Sequence, residues 1–289
     1  MKVGIIGLGL IGGSIALDLK KQGFSSGIVG CDLDQSNEAK ALKLGLVDRV
    51  DSLSELCLQS DLIVLAIPVD AARKVIVSIL NQIKGEAIVT DVGSSKEAIT
   101  KITEAHPKGS QFVPGHPIAG TENSGPESAI SGLFKGKLAI LCPHSSTKKS
   151  AIDAVVRMYE ILGSRIEMMN SVEHDKHLAY VSHLSHVSSF ALGLTVLNIE
   201  KDERKIFDLA GSGFESTVRL AKSSAAMWEP ILKTNKENIL VALSEYIEQL
   251  NTFKELFEKD AFDEVRGKMI EANDIRRVLE GEQKENKKK

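Results

Sequence analysis

A glycine-rich turn between a strand and a helix opens this chain and constrains its fold more than any other feature. The apolar run Lys2–Ile6 is followed by glycines at positions 7, 9 and 12, and helical spacing begins near position 10. The three glycines suit a tight turn, close approach of the backbone to a pyrophosphate, and close packing of helix on strand. A helix N-terminus also presents free N–H groups and a positive dipole end to a phosphate. The turn therefore predicts a bound dinucleotide. The residues expected to contact it are Gly7, Leu8, Gly9, Leu10, Ile11 and Gly12.

A carboxylate at the end of the second strand indicates which dinucleotide binds. Asp32 lies about twenty residues beyond Gly12, where an acidic side chain accepts hydrogen bonds from the adenosine ribose. It repels the 2′-phosphate of NADP, and residues 35–37 are neutral, so no arginine compensates. We therefore expect NAD as the cofactor, with Pro68 after a later strand as a further contact. The glycine motif alone also fits a tight turn in another doubly wound protein, such as a methyltransferase.

Composition narrows the class of protein. The chain has 289 residues, of which 43% are hydrophobic, enough for a substantial core divided between two domains. A net charge of −3 gives no field that favours nucleic acid or a membrane surface, and no apolar run is long enough to span a bilayer. The three cysteines are scattered, and the chain opens directly into a strand with no room for a signal peptide. We therefore expect a cytoplasmic protein.

The pattern of apolar residues changes along the chain. Up to residue 169, short apolar runs with little alternation are separated by helical stretches, which is typical of parallel strands covered on both faces. These later runs are 61–67, 86–91, 111–115, 137–142 and 165–169. From residue 170 apolar residues recur at helical spacing, as in the stripe from Ile239 to Phe257. The sequence predicts a doubly wound α/β domain over 1–169 and an all-helical domain over 170–289. The stripe, continued by Phe262 and Val265, also predicts a homodimer joined through the helical domain.

Polar residues at predicted strand ends are candidates for chemistry, because ligands of open α/β sheets bind beyond the carboxyl ends of the strands. Ser94 follows one strand, and His116 follows another between Gly115 and Pro117. Histidine suits general-base catalysis near neutral pH. A loop histidine is often only a polar surface residue, but its placement near the expected nicotinamide favours a catalytic base.

Two histidines at the start of the helical domain share a helix face. His183 and His186 are three residues apart. A metal site would need a third ligand, and no partner with suitable spacing stands out, so we expect no metal. The remaining interpretations are histidines satisfied by hydrogen bonds at the core edge and histidines that contact substrate.

Arg219 follows a glycine-containing entry to a helix. Its guanidinium fork suits a substrate carboxylate. An equally good interpretation from spacing is a surface arginine paired with Glu215 at i, i+4, which would contribute only tenths of a kcal/mol.

Taken together, these motifs resemble the prephenate dehydrogenase family, which includes arogenate dehydrogenases. The most specific motif is Gly115-His-Pro-Ile-Ala-Gly-Thr-Glu122. The others are the turn from Gly7 to Ser14, Asp91-Val-Gly-Ser-Ser-Lys96, Ser182-His-Leu-Ser-His186, Gly211-Ser-Gly-Phe214, Arg219-Leu-Ala-Lys222 and Met227-Trp228. The similarity runs from Lys2 to about Phe257. Ser185 stands where relatives often have proline, and Ser212 where some have glycine beside the substrate.

The resemblance implies a Rossmann domain, a dimerising helical domain and an active site between them. It assigns His116 as the catalytic histidine, supported by Ser94, and Arg219 as the group that binds the ring carboxylate. It places His186 at the substrate side chain with His183 nearby, and we expect Thr121 and Ser212 to contact the substrate as well.

The implied reaction is the oxidative decarboxylation of prephenate by NAD in tyrosine biosynthesis, giving 4-hydroxyphenylpyruvate. The sequence does not decide whether the substrate is prephenate or arogenate, because the two differ only by a keto or an amino group on the side chain. A β-hydroxyacid dehydrogenase or an imine reductase would share the glycine-rich start, but not the motif around His116. A dinucleotide sensor without turnover would need no base.

Overall fold

The computed structural model describes residues 1–121, 123–200 and 211–279. Glu122 of the most specific motif and residues 201–210 and 280–289 of the predicted helical domain lie outside the described residues. The chain divides into two compact units, one from Met1 to Ile239 and one from Leu240 onward.

A parallel six-stranded sheet forms the centre of the first unit, in the strand order β3-β2-β1-β4-β5-β6. Its strands are β1 (Lys2–Ile6), β2 (Gly27–Cys31), β3 (Arg49–Val50), β4 (Leu62–Leu65), β5 (Ile88–Asp91) and β6 (Phe112–Val113). The order reverses at β1, which pairs with β2 on one side and with β4 on the other. The carboxyl ends of β1 and β4 therefore lie side by side at a topological switch point, the place where ligands bind in such sheets. The expected doubly wound α/β fold is confirmed.

Helices cover both faces of this sheet, and apolar side chains pack beneath them as two buried clusters. The helices are α1 (Leu10–Lys21), α2 (Gln35–Lys43), α3 (Leu53–Gln59), α4 (Val69–Gln82), α5 (Glu97–Glu104) and α6 (Lys149–Ile161). In α4, Ala72, Ile76 and Ile79 recur at helical spacing and are buried against the sheet. Helix α3 begins with a capping box between Ser52 and Glu55.

A second, three-stranded sheet corrects the expectation that all the strands are parallel. Strand β7 (Gly115–Pro117) runs antiparallel to β8 (Leu138–Leu141), which is parallel to β9 (Arg165–Met168). The single strand expected at 111–115 is wrong. Pro114 has no N–H to extend the ladder beyond Val113, and its carbonyl accepts a bond from Cys142 at 2.8 Å. His116 therefore lies in a strand and not in a loop.

Helices make up the rest of the described chain, as the change in apolar spacing predicts. The first unit contains α7 (Ser171–Leu178), α8 (Leu184–Glu200), α9 (Ser212–Val218) and α10 (Ala225–Thr234). A π-helical turn, Ala179–His183, joins α7 to α8. Helix α10 packs on α4, where Trp228 and Ile231 contact Val69.

The second unit is formed by most of α11 (Lys236–Glu258), with α12 (Phe262–Ala272) and α13 (Arg276–Leu279). Many of its large apolar side chains are about half exposed in the single chain, including Ile247, Leu250, Phe257 and Phe262. Among the described helices of both units, none is long and apolar enough to cross a membrane.

Candidate active site

The glycine-rich turn leaves space beside the backbone at the switch point of the sheet. Gly7 has a φ of +94°, and a Cβ added there would lie 2.3 Å from the carbonyl oxygen of Ala66. A Cβ at Gly12 would lie 2.0 Å from the carbonyl oxygen of Gly7, so the helix can approach the strand only with glycine at this position. At Gly9 a Cβ would meet nothing within 4 Å. This open space beside a bare helix N-terminus fits a pyrophosphate.

The predicted cofactor contacts surround this space through their backbone more than through their side chains. Helix α1 starts at Leu10 without a side-chain cap and without an acidic residue in its first turn, so its free N–H groups remain available. Leu8 and Leu10 are buried, and Ile11 is partly buried. Pro68 is exposed at the start of α4, just beyond β4.

Asp32 lies in an acidic cleft of about 360 Å³ next to the turn. Its Oδ2 accepts the Leu8 N–H at 2.8 Å, which ties the carboxylate to the glycine-rich turn. Its Oδ1 accepts the Asp34 N–H at 2.9 Å. Three further carboxylates line the cleft, namely those of Glu38, Asp51 and Glu55. This concentration of negative charge suits ribose hydroxyls and opposes a further phosphate.

His116 belongs to a chain of buried hydrogen bonds. Its Nδ1 lies 2.8 Å from Nε2 of His174, and Nδ1 of His174 lies 2.7 Å from Oδ1 of Asp175. The two imidazoles meet edge to face, with ring centroids 5.1 Å apart. Asp175 also accepts the backbone N–H groups of Lys96 at 2.7 Å and Glu97 at 2.9 Å, at the start of α5. The carboxylate therefore caps a helix while it holds His174.

Burial keeps both imidazoles of this chain neutral. Desolvation is the largest cause that lowers the pKa of His116 well below the usual 6.5, and the nearby His174 and the Lys96 ammonium lower it further. Desolvation also lowers the pKa of His174, although its hydrogen bond to Asp175 opposes this change. A neutral imidazole can accept a proton at pH 7, which is the first requirement of a general base.

A buried ion pair fixes the start of strand β7. The ammonium of Lys96 contacts the carboxylate of Asp91 and donates to the carbonyl oxygen of Gly115 at 2.8 Å. Oδ1 of Asp91 accepts the Gly115 N–H at 3.2 Å. Both charged side chains are almost completely buried. Gly115, the residue before His116, is thus bonded through both its N–H and its carbonyl to the ion pair of Asp91 and Lys96.

Ser94 and Thr121 lie on the segments that follow β5 and β7. Ser94 is partly buried. The ring of His116 is oriented by His174 and not by a bond to Ser94. Thr121 is partly buried, and its hydroxyl accepts the Asn123 N–H at 3.2 Å.

His183 and His186 contact one indole from two directions. His186 stacks on Trp228 with ring centroids 3.4 Å apart, and His183 meets it edge-on at 5.9 Å. The Asn235 amide donates to the carbonyl oxygen of Asp175 at 2.6 Å and lies 3.1 Å from Nδ1 of His183. With Nδ1 as the acceptor, the proton of His183 lies on Nε2, which is buried and has no partner among the described residues. Burial lowers the pKa of His183 to about 4.

Arg219 is exposed and close to His186. Burial lowers the pKa of His186, and the Arg219 guanidinium lowers it further. In the described ranges Arg219 makes no ion pair, whereas Glu215 lies 4.0 Å from Lys222. The expected alternative, an Arg219–Glu215 surface pair, is therefore not formed here. Ser212 is exposed in the first turn of α9, after Gly211.

Sequence reasoning missed His174, Asp175, Lys96 and Asn235 as members of this site. The first two belong to a polar run, 173–177, that resembles a solvated helix start. The only signal was the position of Leu178, which lies four residues after His174 and three after Asp175. All three therefore share one helix face, which the apolar Leu178 places on the buried side. No group of three or more side chains suited to a metal ion is found in residues 1–121, 123–200 and 211–279.

Comparisons with known families cover most of the chain. The model of the prephenate dehydrogenase nucleotide-binding domain matches residues 15–168, and the model of the prephenate dehydrogenase dimerization domain matches residues 170–271. The first part of the chain therefore carries the nucleotide-binding domain of that family.

Individual relatives agree with the domain matches. The chain is 32% identical to a prephenate dehydrogenase from Bacillus subtilis over 89% of its own length and 70% of that protein. The solved prephenate dehydrogenase from Aquifex aeolicus, in complex with hydroxyphenyl propionate and NAD+, is 34% identical, with a TM-score of 0.87 over 96% of this chain and 98% of that one. The arogenate dehydrogenase from Synechocystis is 28% identical, with a TM-score of 0.77 over 96% of this chain and 100% of that one.

Proposed function

We propose that this chain, which belongs to the prephenate dehydrogenase family, is a cytoplasmic NAD-dependent enzyme that converts prephenate to 4-hydroxyphenylpyruvate and CO₂ in tyrosine biosynthesis. The observation that carries this proposal is a buried, neutral His116 on the strand bonded to the end of β5. The motif around His116 is not expected in a β-hydroxyacid dehydrogenase, and a sensor has no need of a base.

NAD fits the residues at the switch point. The open space at Gly9 would take the pyrophosphate, the free N–H groups of α1 would bind it, and Asp32 would accept the ribose hydroxyls. When bound, NAD supplies the acceptor for the hydride that leaves C4 of the substrate.

His116 performs the proton transfer in this proposal. As the C4–H bond breaks, the hydroxyl on C4 gives its proton to the imidazole and becomes a carbonyl. The bond from C1 to the carboxylate then breaks, and its electron pair moves through the ring to the C4 oxygen, which takes the proton back as the ring becomes aromatic. Aromatisation supplies the driving force, so the protein mainly positions the groups and accepts one proton. Ser94, on the segment that follows β5, keeps its proposed role as the residue that supports His116.

The substrate carboxylates and side chain face the helical residues in this proposal. Arg219 binds the ring carboxylate, which its exposure and lack of an ion pair in the described chain support. His186 faces the side chain with His183 nearby, and Thr121 and Ser212 complete the contacts.

Replacing Arg219 by alanine is expected to raise KM for prephenate more than it lowers kcat. A departing carboxylate becomes neutral CO₂, so an arginine that held it more tightly in the transition state would oppose bond cleavage. Arg219→Lys should restore binding only in part, because an ammonium lacks the planar fork. Steady-state kinetics on the two variants, with the exposed Lys222→Ala as a control, checks this. A collapse of kcat at unchanged KM would contradict a binding role.

NAD should be preferred over NADP in kcat/KM. Asp32 and the three other carboxylates of its cleft would repel a 2′-phosphate. The variant Asp32→Asn removes the nearest charge and should improve the use of NADP relative to NAD, whereas Asp153→Asn, at an exposed position of α6, should leave the use of both cofactors unchanged. Equal or better use of NADP by the unmodified enzyme would contradict the assignment.

We also propose that the domain over residues 1–169 binds the cofactor and that the domain over residues 170–289 joins two copies of the chain into a homodimer. The half-exposed apolar side chains of the second unit support the dimer, because a single soluble chain rarely exposes so many. Light scattering should give a dimer mass, and Leu250→Glu should shift it towards the monomer, while the neighbouring Glu248→Gln should not. A monomer at all protein concentrations would contradict this expectation.

The choice between prephenate and arogenate decides the final product. Arogenate would give tyrosine directly, and the Synechocystis relative is named for that substrate. We propose prephenate as the preferred substrate, with arogenate as the alternative. The test is the initial rate of NADH formation with each substrate at matched concentrations. A higher kcat/KM for prephenate supports the proposal, and a higher value for arogenate replaces it by the alternative.

A further inference from the structure

We propose that His174 and Asp175 are positioning residues that determine which nitrogen of His116 carries its proton, an inference that rests on the proposed role of His116 as the base. Neither residue needs to touch the substrate. Their effect would come from the order of donors and acceptors along the buried chain of hydrogen bonds.

The assignment of donors and acceptors starts at Asp175, because its carboxylate is also bonded to backbone groups outside this series of hydrogen-bonded side chains. Its two oxygens accept the backbone N–H groups of Lys96 and Glu97, so the side chain is an acceptor on both sides. Both bonds bring N–H donors at the N-terminal end of α5 onto the carboxylate oxygens. The ring nitrogen that faces a carboxylate oxygen must be the donor, so Nδ1 of His174 carries the proton.

The same reasoning passes to His116. A neutral imidazole has one donor and one acceptor nitrogen, so Nε2 of His174 is an acceptor. Nδ1 of His116 lies 2.8 Å from it and must be the donor. Nε2 of His116 is then the nitrogen with the free lone pair. In the described chain it makes no hydrogen bond, so it remains available for the proton of the substrate hydroxyl.

The hydrogen bonds from His116 through His174 to Asp175 also stabilise the protonated His116 that proton transfer produces. When Nε2 of His116 takes the proton, the ring becomes a cation whose Nδ1–H faces an acceptor, and the carboxylate lies one ring further away. Both imidazoles are buried, so water does not supply this stabilisation. The arrangement follows the logic of a nucleophile or base that is oriented by a second group and a third.

Two amide substitutions at position 174 separate this role from a purely structural one. The amide of asparagine lies where Nδ1 of histidine lies, so His174→Asn keeps a donor for Asp175 but leaves His116 without an acceptor. The longer glutamine reaches the place of Nε2, so His174→Gln supplies an acceptor to His116 and loses the bond to Asp175. We expect kcat to fall about 10²-fold or more in His174→Asn and less than about tenfold in His174→Gln.

KM for prephenate should change little in either variant, because Arg219 is untouched. The matched control is His177→Asn, a histidine on the exposed side of the same helix, which should behave as the unmodified enzyme. If asparagine is as active as glutamine at position 174, or more active, the inference is wrong and the contact with Asp175 matters only for the fold.

A spectroscopic measurement needs no variant. Nitrogen NMR of the full-length enzyme with ¹⁵N-labelled histidine should show His116 as a neutral ring with its proton on Nδ1 and an unprotonated Nε2. A proton on Nε2 of His116 would overturn the inference. This readout does not depend on turnover. An enzyme that oxidises neither prephenate nor arogenate would refute the proposed function, and the NMR signals would still decide the position of the proton.

Discussion

Replacing His116 by asparagine is expected to lower kcat by on the order of 10²–10⁴ while NAD binding stays intact. Asparagine keeps a hydrogen-bonding group near His174 but cannot take the proton of the substrate hydroxyl. The residue lies on β7, outside the glycine-rich turn and the cleft of Asp32, so the dissociation constant for NAD should be unchanged.

The pH dependence of this variant gives a second signature. Burial lowers the pKa of His116 well below 6.5, so the unmodified base is neutral at pH 7 and becomes protonated only in more acidic solution. The value of kcat/KM should therefore stay constant as the pH falls through 6.5, and it should decline only in more acidic solution, where the imidazole becomes protonated. The acidic decline should vanish in His116→Asn and persist in the exposed His177→Asn. A variant that keeps near-normal kcat and the acidic decline would exclude His116 as the base and make His183 or His186 the next candidates.

Replacing Lys96 by methionine is expected to destabilise the protein by about 3–5 kcal/mol. The ammonium is fully buried against Asp91, so its removal leaves a carboxylate with little access to water and without its counter-charge. The free energy of unfolding in urea, followed by circular dichroism, measures the loss.

Two further variants separate an unpaired charge from lost packing. Asp91→Asn combined with Lys96→Met removes both charges and should recover part of the stability lost in the single variant. Lys149→Met breaks an exposed pair with Asp153 on α6 and should leave stability nearly unchanged. If Lys96→Met unfolds at the same urea concentration as the unmodified enzyme, the buried pair does not hold the start of β7.

The parts of the fold that local sequence determines were predictable. The turn needs residues without a side chain at Gly7 and Gly12, because backbone atoms lie within 2.0–2.3 Å of a Cβ added at either position. The change from short apolar runs to helical spacing near residue 170 likewise reflects local periodicity. Both features therefore follow from neighbouring residues.

The parts that depend on distant contacts were not predictable. His174 lies 58 residues from His116, and a polar run on a helix resembles a solvent-exposed face whichever way the helix turns. Lys96 belongs to the motif 91–96, one of those that carry the family resemblance, but a lysine near a strand end is usually exposed. Strand β7 leaves the parallel sheet because Pro114 interrupts the ladder, and its pairing with β8 joins segments more than twenty residues apart.

The most direct test of the central claim is the stoichiometry of products from prephenate and NAD. The proposed function requires that each hydride transferred from C4 is matched by one decarboxylation, because aromatisation drives both steps. Absorbance of NADH and chromatography of 4-hydroxyphenylpyruvate should give equimolar amounts throughout the reaction. No NADH from either prephenate or arogenate, together with oxidation of a β-hydroxyacid, would contradict the account and favour the alternative dehydrogenase class.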